Sequence, residues 1–248
     1  MAKILGIVSG KGGTGKTVSS LNIALALHEF GEDVIVVDAD TTASTMGIHL
    51  GLYLFPNNLQ DVLNENIEIG RAIYMHQTGL KFIPSSIDLE LLDADVSKMR
   101  LALNKLDATI IVDSPAGLDK GAVSILDACD EVIIITNPEM PTVANGAKIA
   151  RMARDMKKNI FGVVITRVKN NGWELTPEDV ETMCEAPVIG IVPEDMNVKR
   201  SIFEKVPVVS NVPYSPASVE YKKIAARLLG KTYEPPKHLA LKKLLRLI

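Results

Sequence analysis

The sequence predicts an α/β fold in which a doubly wound, mostly parallel sheet carries helices on both faces. Continuous apolar, β-branched runs are typical of strands buried on both faces, and helical patterns between them indicate right-handed βαβ units. The predicted strands are residues 4–8, 34–37, 80–84, 109–112, 131–136, 161–166 and 188–192, with a possible short strand at 207–209. The predicted helices are residues 18–30, 97–107, 119–128, 142–157, 176–185, 196–204 and 216–229.

The composition is that of an ordinary α/β protein. Of the 248 residues, 47% are apolar, 23% charged and 4% aromatic, which fits one large or two small domains with a substantial core. No run approaches the ~20 apolar residues of a membrane-spanning helix. The first strand begins almost directly after Met1, so we expect a cytoplasmic protein without a targeting segment. Cys129 and Cys184 lack metal-ligand spacing and are expected to be buried thiols.

A glycine-rich loop joins the first predicted strand to the first predicted helix. Gly10, Gly15, Lys16 and Thr17 match the pattern G-x-x-x-x-G-K-[ST]. In such a loop, backbone N–H groups and the positive end of the helix hold phosphate oxygens. The lysine reaches the β- and γ-phosphates, and the threonine hydroxyl ligates Mg²⁺. The predicted nucleotide-binding residues here are Gly10, Lys11, Gly12, Gly13, Thr14, Gly15, Lys16, Thr17 and Val18.

Carboxylates follow two other predicted strands. Asp38 closes the second strand with Asp40 two residues further on, and Asp113 ends the apolar run 110–112. Ligands of open α/β sheets lie outside the carboxyl ends of the strands, where an acid holds Mg²⁺ directly or through water. We predict Thr17, Asp38 and Asp113 as metal ligands and Asp40 as the residue that positions the attacking water. The alternative is that these aspartates merely cap helices or turns.

Together these motifs resemble the MinD/ParA family of deviant-Walker P-loop ATPases. The loop carries a second lysine, Lys11, which a generic P-loop does not require. The other matching stretches are 37–40 (Val-Asp-Ala-Asp), 112–117 (Val-Asp-Ser-Pro-Ala-Gly), 136–139 (Thr-Asn-Pro-Glu) and 192–195 (Val-Pro-Glu-Asp). The Asp-Ser-Pro-Ala-Gly and Pro-Glu-Asp pieces favour the MinD branch. Residues 41–46 and 140–146 differ from the residues usual in that branch. Because partners would be expected to contact both stretches, the activating partner stays open.

The resemblance implies an ATPase with ATP and Mg²⁺ as cofactors and Lys11, Lys16 and Asp40 as catalytic residues. ATP would bring two subunits face to face, so that each Lys11 reaches the nucleotide of the opposite subunit. Hydrolysis would then be slow in the monomer, because the positive charge on the departing phosphate comes from the partner. Residues 113–117 would sense the γ-phosphate. The residues that would line the adenine pocket are Arg167, Pro193, Glu194 and Asp195.

Charge and composition divide the chain into three predicted parts. These are a P-loop ATPase domain at 1–232, a short proline-containing linker at 233–236 and a basic amphipathic tail at 237–248. Residues 231–248 carry a net charge of +4, and the remaining 22 basic and 29 acidic residues give the rest of the chain −7. This balance argues against broad nucleic-acid binding by the body of the protein.

The tail would form an amphipathic helix. Its apolar residues other than Leu239 fall within an arc of about 160° at 100° per residue, with Lys242, Lys243 and Arg246 opposite. Leu239 falls among the basic residues, and Lys237 intrudes at the start of the helix. Such a helix is typical of a membrane-surface element or a partner-binding helix, and the resemblance implies the membrane. The alternatives are packing on its own domain and binding of a protein partner. The predicted membrane-binding residues are Leu241, Lys242, Lys243, Leu244, Leu245, Arg246, Leu247 and Ile248.

The sequence thus predicts a MinD-like ATPase that dimerises on ATP, attaches to anionic lipid at the inner face of the cell membrane and acts with an unidentified activator or cargo protein. One alternative is a ParA-like DNA-partitioning ATPase, against which the acidic body counts. Another is a biosynthetic enzyme or metal-cluster carrier on the same scaffold. The absence of cysteine between Asp113 and Lys120 and of an added catalytic domain counts against it.

Overall fold

The computed structural model describes residues 2–40, 44–86, 96–117 and 120–236. Its described strands form one eight-stranded sheet in the order β3-β4-β2-β5-β1-β6-β7-β8. All neighbouring strands are parallel except β3 and β4, which form an antiparallel edge. The strands are β1 (Lys3–Val8), β2 (Val34–Asp38), β3 (Tyr74–Met75), β4 (Lys81–Ile83), β5 (Thr109–Asp113), β6 (Glu131–Thr136), β7 (Asn159–Val168) and β8 (Val188–Pro193).

Helices cover both faces of the sheet, as predicted. The α-helices are α1 (Lys16–Glu29), α2 (Met46–Leu50), α3 (Leu59–Leu63), α4 (Met99–Leu103), α5 (Lys120–Ala128), α6 (Met140–Asp155), α7 (Pro177–Cys184), α8 (Met196–Glu204), α9 (Val208–Asn211) and α10 (Pro216–Leu228). Helices α1, α2, α9 and α10 pack on one face, and α3, α4, α6 and α7 pack on the other. The predicted doubly wound α/β fold is therefore confirmed.

The buried strands supply side chains to both hydrophobic cores. In β1, Ile4 and Val8 belong to the core under α3–α7, while Leu5 and Ile7 belong to the core under α1 and α10. This alternation follows from the two-residue period of a strand. It explains why the strands read as continuous apolar runs rather than alternating ones.

One predicted element is wrong, and several were missed. Residues 207–209, predicted as a possible strand, begin the short helix α9, and Val208 and Val209 are buried against α1. The backbone N–H of Val209 donates to Asn22 Oδ1 of α1, at 3.0 Å, so a tertiary contact overrides the β preference of a valine pair. Helices α2 and α3 and strand β3 fall in stretches that the sequence left unassigned.

Other sequence expectations have simpler outcomes. Cys129 and Cys184 are free, buried thiols, as predicted, and burial raises the pKa of Cys129 to about 12. Within the described ranges, the helices are all too short or too polar to traverse a bilayer. The tail at 237–248 lies outside the described residues. So do residues 41–43 of the stretch 41–46 that differs from the MinD pattern.

The strand order places the glycine-rich loop at the centre of one sheet edge. β1 lies between β5 and β6. The connection from β1 leads to β2 on one side of it, and strands β6, β7 and β8 follow one another on the other side. Such a reversal point is where open α/β sheets bind ligands, at the carboxyl ends of the strands.

Candidate nucleotide site

The loop between β1 and α1 has the backbone that its glycines permit. Gly13 and Gly15 have φ values of 80° and 87°, a left-handed region that favours glycine. Gly10 is required for a different reason, since a Cβ there would lie 2.5 Å from the backbone oxygen of Asn145 in α6. The loop is thus wedged against α6 before it turns into α1, which begins at Lys16 without a side-chain cap.

Thr14 connects this loop to the end of β7 and leaves one polar atom unsatisfied. Its carbonyl accepts a 2.6 Å hydrogen bond from the Thr166 hydroxyl. Its own hydroxyl is buried and has no hydrogen-bond partner among the described residues. A buried hydroxyl without a partner is costly. Beside the N–H groups at the start of α1, which has no side-chain cap, it fits a site that a phosphate-bearing ligand completes.

Asp38 and Asp113 stand side by side at the ends of neighbouring strands. They are register partners in the parallel pair β2–β5. Asp38 is 1% exposed and Asp113 is 2% exposed. Asp38 accepts hydrogen bonds from the Ser44 hydroxyl at 2.8 Å and from the Asp40 backbone N–H at 3.1 Å. Asp113 accepts one from the Ser20 hydroxyl, at 2.9 Å.

Burial raises the pKa of both carboxyls. The pKa of Asp38 rises to about 7, first by desolvation and then by repulsion from Asp113. Desolvation also raises the pKa of Asp113, while Lys16 and the Thr17 hydroxyl oppose the rise. Two buried acids beside one hydroxyl suit a hard divalent cation that prefers oxygen ligands. Thr17, Asp38 and Asp113, predicted as metal ligands, thus lie together and fit Mg²⁺.

The two lysines of the loop occupy different environments. Lys16 is half-buried and close enough to Asp113 to lower the pKa of that carboxyl. Lys11 is exposed, and its carbonyl accepts a hydrogen bond from the Ser9 hydroxyl at 3.0 Å. Asp40 is half-buried next to the aspartate pair, and its charge raises the pKa of Asp38 and Asp113. The catalytic residues predicted from the sequence therefore surround one site, with Lys11 on its outer side.

The segment after β5 closes over the loop. The backbone N–H of Gly117 donates to the Ser9 carbonyl at 3.1 Å, and that of Ser114 donates to Ile7. Ala116 faces Gly12, where an added Cβ would lie 3.9 Å from the alanine methyl. Residues 113–117, predicted to sense the γ-phosphate, are thus hydrogen-bonded to β1 and to Ser9, which directly precedes the glycine-rich loop.

A mainly apolar cleft adjoins the loop on the β7–β8 side. It contains the predicted residues Val18, Arg167, Pro193, Glu194 and Asp195, and its lining is Gly15, Val18, Thr166, Arg167, Val192, Pro193, Glu194, Asp195, Val198, Lys199, Ile202 and Tyr221. Its position next to Gly15 and Val18 is where the base of a nucleotide would lie if its phosphates occupied the loop.

The two acids of this cleft have structural partners. Asp195 caps α8 by accepting from the Asn197 N–H at 2.8 Å, and its other oxygen accepts from the Ala217 N–H at 3.2 Å. It therefore ties α8 to α10. Glu194 forms a 2.8 Å ion pair with Lys199. Both were predicted as adenine-pocket residues, and their observed role is to hold the walls of that cleft.

Sequence reasoning missed several residues that build the site. Ser20 lies one helical turn after Lys16, so helical spacing could have placed it near Asp113. Tyr221 offered no local signal, because it comes from α10 and reaches the site only through the fold. Tyr221 is 2% exposed and shares a hydrogen bond with Ser19, at 3.3 Å.

Comparisons with known proteins agree with this geometry. A family model described as the CobQ/CobB/MinD/ParA nucleotide-binding domain matches residues 5–208. An uncharacterised ATP-binding protein of Methanocaldococcus jannaschii is 37% identical over 238 residues, covering 94% of this chain and 90% of that protein.

Solved structures give the same result. The cell division ATPase MinD of Pyrococcus furiosus has a TM-score of 0.87 at 31% identity, covering 93% of this chain and 99% of that one. The septum site-determining protein MinD of Pyrococcus horikoshii, solved with Mg-ADP, has a TM-score of 0.86 at 31% identity, covering 92% and 96%. Both nucleotide binding and the family resemblance predicted from the sequence are confirmed. The chain belongs to the MinD/ParA family of nucleotide-binding proteins, in its MinD branch.

Proposed function

We propose that this protein is a slow Mg²⁺-dependent ATPase that works as a dimerising spatial switch. ATP and Mg²⁺ are its cofactors. ATP binding joins two copies face to face, the dimer attaches to the membrane through the tail at 237–248, and hydrolysis releases it. The similarity to proteins named for cell division and septum placement supports a role in positioning other proteins on a surface.

The observation that carries this proposal is the difference between the two lysines of one loop. Lys16 faces inward beside the metal-binding acids, whereas Lys11 projects into solvent. Phosphoryl transfer is accelerated by positive charge placed on the departing phosphate. An exposed lysine of this loop can supply that charge to a second copy, which makes hydrolysis conditional on dimerisation.

The other residues of the site have roles that follow from their positions. Lys16 and the N–H groups at the start of α1 bind the phosphates. Thr17, Asp38 and Asp113 hold Mg²⁺, which screens phosphate charge. Asp40, next to the aspartate pair, orients water toward the γ-phosphate. The cleft beside Gly15 and Val18 receives the base.

The tail supports reversible membrane attachment. Four basic residues near an anionic surface contribute roughly 4 kcal/mol, and insertion of each large apolar side chain adds about 1.5–3 kcal/mol when fully buried. Ordering the backbone opposes this by roughly 1–2 kcal/mol per residue. One tail is therefore marginal, while two tails in one dimer gain an effective-concentration advantage. ATP-dependent dimerisation would then switch attachment on.

Lysine substitutions test the catalytic part of the proposal. Lys11→Ala should keep nucleotide binding but lose hydrolysis, by about 10³-fold as for other residues supplied in trans. A mixture of Lys11→Ala with Asp40→Ala protein should recover part of the activity, because one of the two sites in the mixed dimer is then complete. Hydrolysis by Lys11→Ala at the wild-type rate would contradict the role in trans.

Vesicle co-sedimentation tests the membrane part. Full-length protein should bind anionic vesicles with ATP and not with ADP, and a 1–236 truncation should not bind in either state. Vesicle binding by the truncation would remove the tail from the mechanism. DNA binding that is steeply salt-dependent and survives the truncation would instead favour the DNA-partitioning alternative.

A further inference from the structure

Two exposed apolar features lie on the same edge of the sheet as the nucleotide site, on opposite sides of it. One is the side chain of Trp173, the only tryptophan of the chain, which is 94% exposed. The other is a groove of about 630 Å³, which we call the β2–β4 groove. Its lining is Ser44, Gly47, Ile48, Leu52, Tyr53, Leu54, Phe55, Pro56, Asn58, Asp61, Ser85 and Ser86.

Trp173 projects from a loop that is held rigidly. The Glu174 carboxylate accepts from the backbone N–H groups of Lys169 and Asn170, both at distances of 2.8–2.9 Å. The Leu175 N–H donates to the Pro138 carbonyl at 2.9 Å, which ties the loop to the end of β6. A large exposed aromatic side chain on a backbone held in this way is the kind of anchor that interfaces use, because little backbone freedom is lost when it is buried.

The β2–β4 groove is apolar and attached to the metal-binding acid. Leu54 is 90% exposed, and Ile48 is 51% exposed. Ser44, in its wall, donates to Asp38, so the groove is connected to the nucleotide site. Exposed apolar surface of this kind marks an interaction site.

The strand order makes the two features complementary under two-fold symmetry. The loop of Trp173 follows β7, two strands from β1 on one side, and the groove follows β2 and β4, two to three strands away on the other. With neighbouring strands about 4.8 Å apart, the strands from which the two features extend are displaced sideways from β1 by about 10–14 Å. A two-fold axis beside that end, perpendicular to the sheet, would carry the Trp173 loop of one copy over the groove of the other. The same axis would bring the two Lys11 loops together.

Charge favours the same pairing. Among the described residues that line the groove, Asp61 is the one that carries a charge. Beside Trp173, Arg167 at the end of β7 and Lys169 after it are exposed, as is the acid Glu139 after β6, while Glu174 is turned onto backbone N–H groups. On docking, Arg167 and Lys169 would approach the groove that carries Asp61, whose carboxylate also caps α3.

We propose that Trp173 of one copy inserts into the β2–β4 groove of the second copy in the ATP-bound dimer, and reciprocally. This rests on the proposed function and names the surface by which its dimer closes. An isologous contact of this kind appears twice in each dimer. It would also connect dimerisation to Asp38, through Ser44 in the wall of the groove.

The test uses full-length protein with Mg²⁺ and a non-hydrolysable ATP analogue. Sedimentation velocity gives the dimer Kd, and the emission of Trp173 reports its own burial. The emission maximum should shift to the blue on dimerisation. Trp173→Ala and Leu54→Ala should each raise Kd at least tenfold, whereas Trp173→Phe should keep most of the affinity. Phe203→Ala is the matched control, since Phe203 is 84% exposed near the end of α8, and it should leave Kd within twofold.

Mixing the two weakened variants separates pairing from general damage. A dimer of one Trp173→Ala copy and one Leu54→Ala copy keeps one complete contact, so the mixture should dimerise at least threefold more tightly than either variant alone. A wild-type dimer with unshifted emission, or a mixture without recovery, would overturn the pairing while leaving the proposed function intact. Wild-type protein that stays monomeric with the analogue would overturn the proposed function and this pairing with it.

Discussion

The proposed phosphate half of the nucleotide site, around the glycine-rich loop, and its proposed base half, the cleft beside Gly15 and Val18, are built in opposite ways. The phosphate half places two buried carboxyls, Asp38 and Asp113, beside the N-terminus of α1, with the unpartnered Thr14 hydroxyl nearby. The base half is mainly apolar, and its acids are paired within the protein: Asp195 caps α8, and Glu194 bonds Lys199. The first half is destabilised without a ligand. In the second half, the two acids already have partners within the protein.

This difference shows where ligand binding contributes most to stability. Mg²⁺ and phosphate neutralise buried charge and occupy unpaired donors, so the phosphate half gains large electrostatic interactions on binding. The base half gains mainly apolar burial in a preformed cleft. Substitutions in the two halves should therefore differ in size and even in sign.

The largest expected effect is that of Lys16→Ala. Removing the lysine beside Asp113 leaves the buried acids without a cation and the phosphates without a charge partner. Affinity for Mg-ADP should fall at least about 100-fold, an effect of about 3 kcal/mol, as measured by isothermal titration calorimetry. The matched control is Lys199→Ala, on the wall of the base cleft, for which a change within about threefold is expected. Equal losses in both variants would erase the contrast between the halves.

Thr166→Val tests the joint between the halves. The hydroxyl of Thr166 donates to the Thr14 carbonyl and accepts from Asn137 Nδ2 at 3.0 Å. Valine has nearly the same shape but leaves these buried groups unpaired, so the free energy of unfolding should fall by about 2 kcal/mol. Denaturant titration measures it. Thr182→Val, which loses an exposed bond to the Glu178 carbonyl in α7, should change stability by less than about 0.5 kcal/mol.

The sequence was informative about the phosphate half for a physical reason. The loop and the aspartates are contiguous with strands whose apolar runs are easy to recognise, and parallel strands bring their carboxyl ends to one edge. The adjacency of Asp38 and Asp113 follows from strand order, which is not local information. The strand order came only from the structure.

The base half was harder to predict because its walls come from distant segments. Tyr221 of α10 and Thr166 of β7 meet at Gly15 only after the sheet is assembled. Asp195, predicted from the family motif to line the adenine pocket, does line this cleft, but its bonds to Asn197 and Ala217 could not be predicted from the motif. Val208 and Val209 of α9 have a strand-like local pattern, and the sequence does not reveal that α1 covers them.

Asp38→Asn should reverse sign with ligand. The pKa of Asp38, about 7, is above its ordinary value of 3.8, so ionisation costs stability as pH rises from about 4 to 7, and the full cost is present above pH 7. At pH 8 without nucleotide, the variant should be more stable by roughly 1–2 kcal/mol. With saturating Mg-ATP the wild type should be the more stable protein, because the variant loses a metal ligand.

Thermal unfolding at pH 8, with and without Mg-ATP, measures this crossover. Asp127→Asn is the control, since the Asp127 side chain is 74% exposed, and its unfolding temperature should be unchanged in both conditions. A variant that is less stable than the wild type without nucleotide would show that the hydrogen bonds to Asp38 outweigh its desolvation.

The smallest effect is expected for Tyr221→Phe, in the base half. Its hydroxyl shares a single 3.3 Å hydrogen bond with Ser19, and the rest of the ring packs in the core under α1 and α10. Loss of that bond should lower the free energy of unfolding by about 0.5–1 kcal/mol and change Mg-ATP affinity less than about twofold, because the ring that forms the cleft wall is retained. Tyr53→Phe, at a 59% exposed position, provides the baseline for the free energy of unfolding. A tenfold loss of affinity in Tyr221→Phe would mean that the hydroxyl itself recognises the nucleotide, and the base half would then share the polar, ligand-dependent character of the phosphate half.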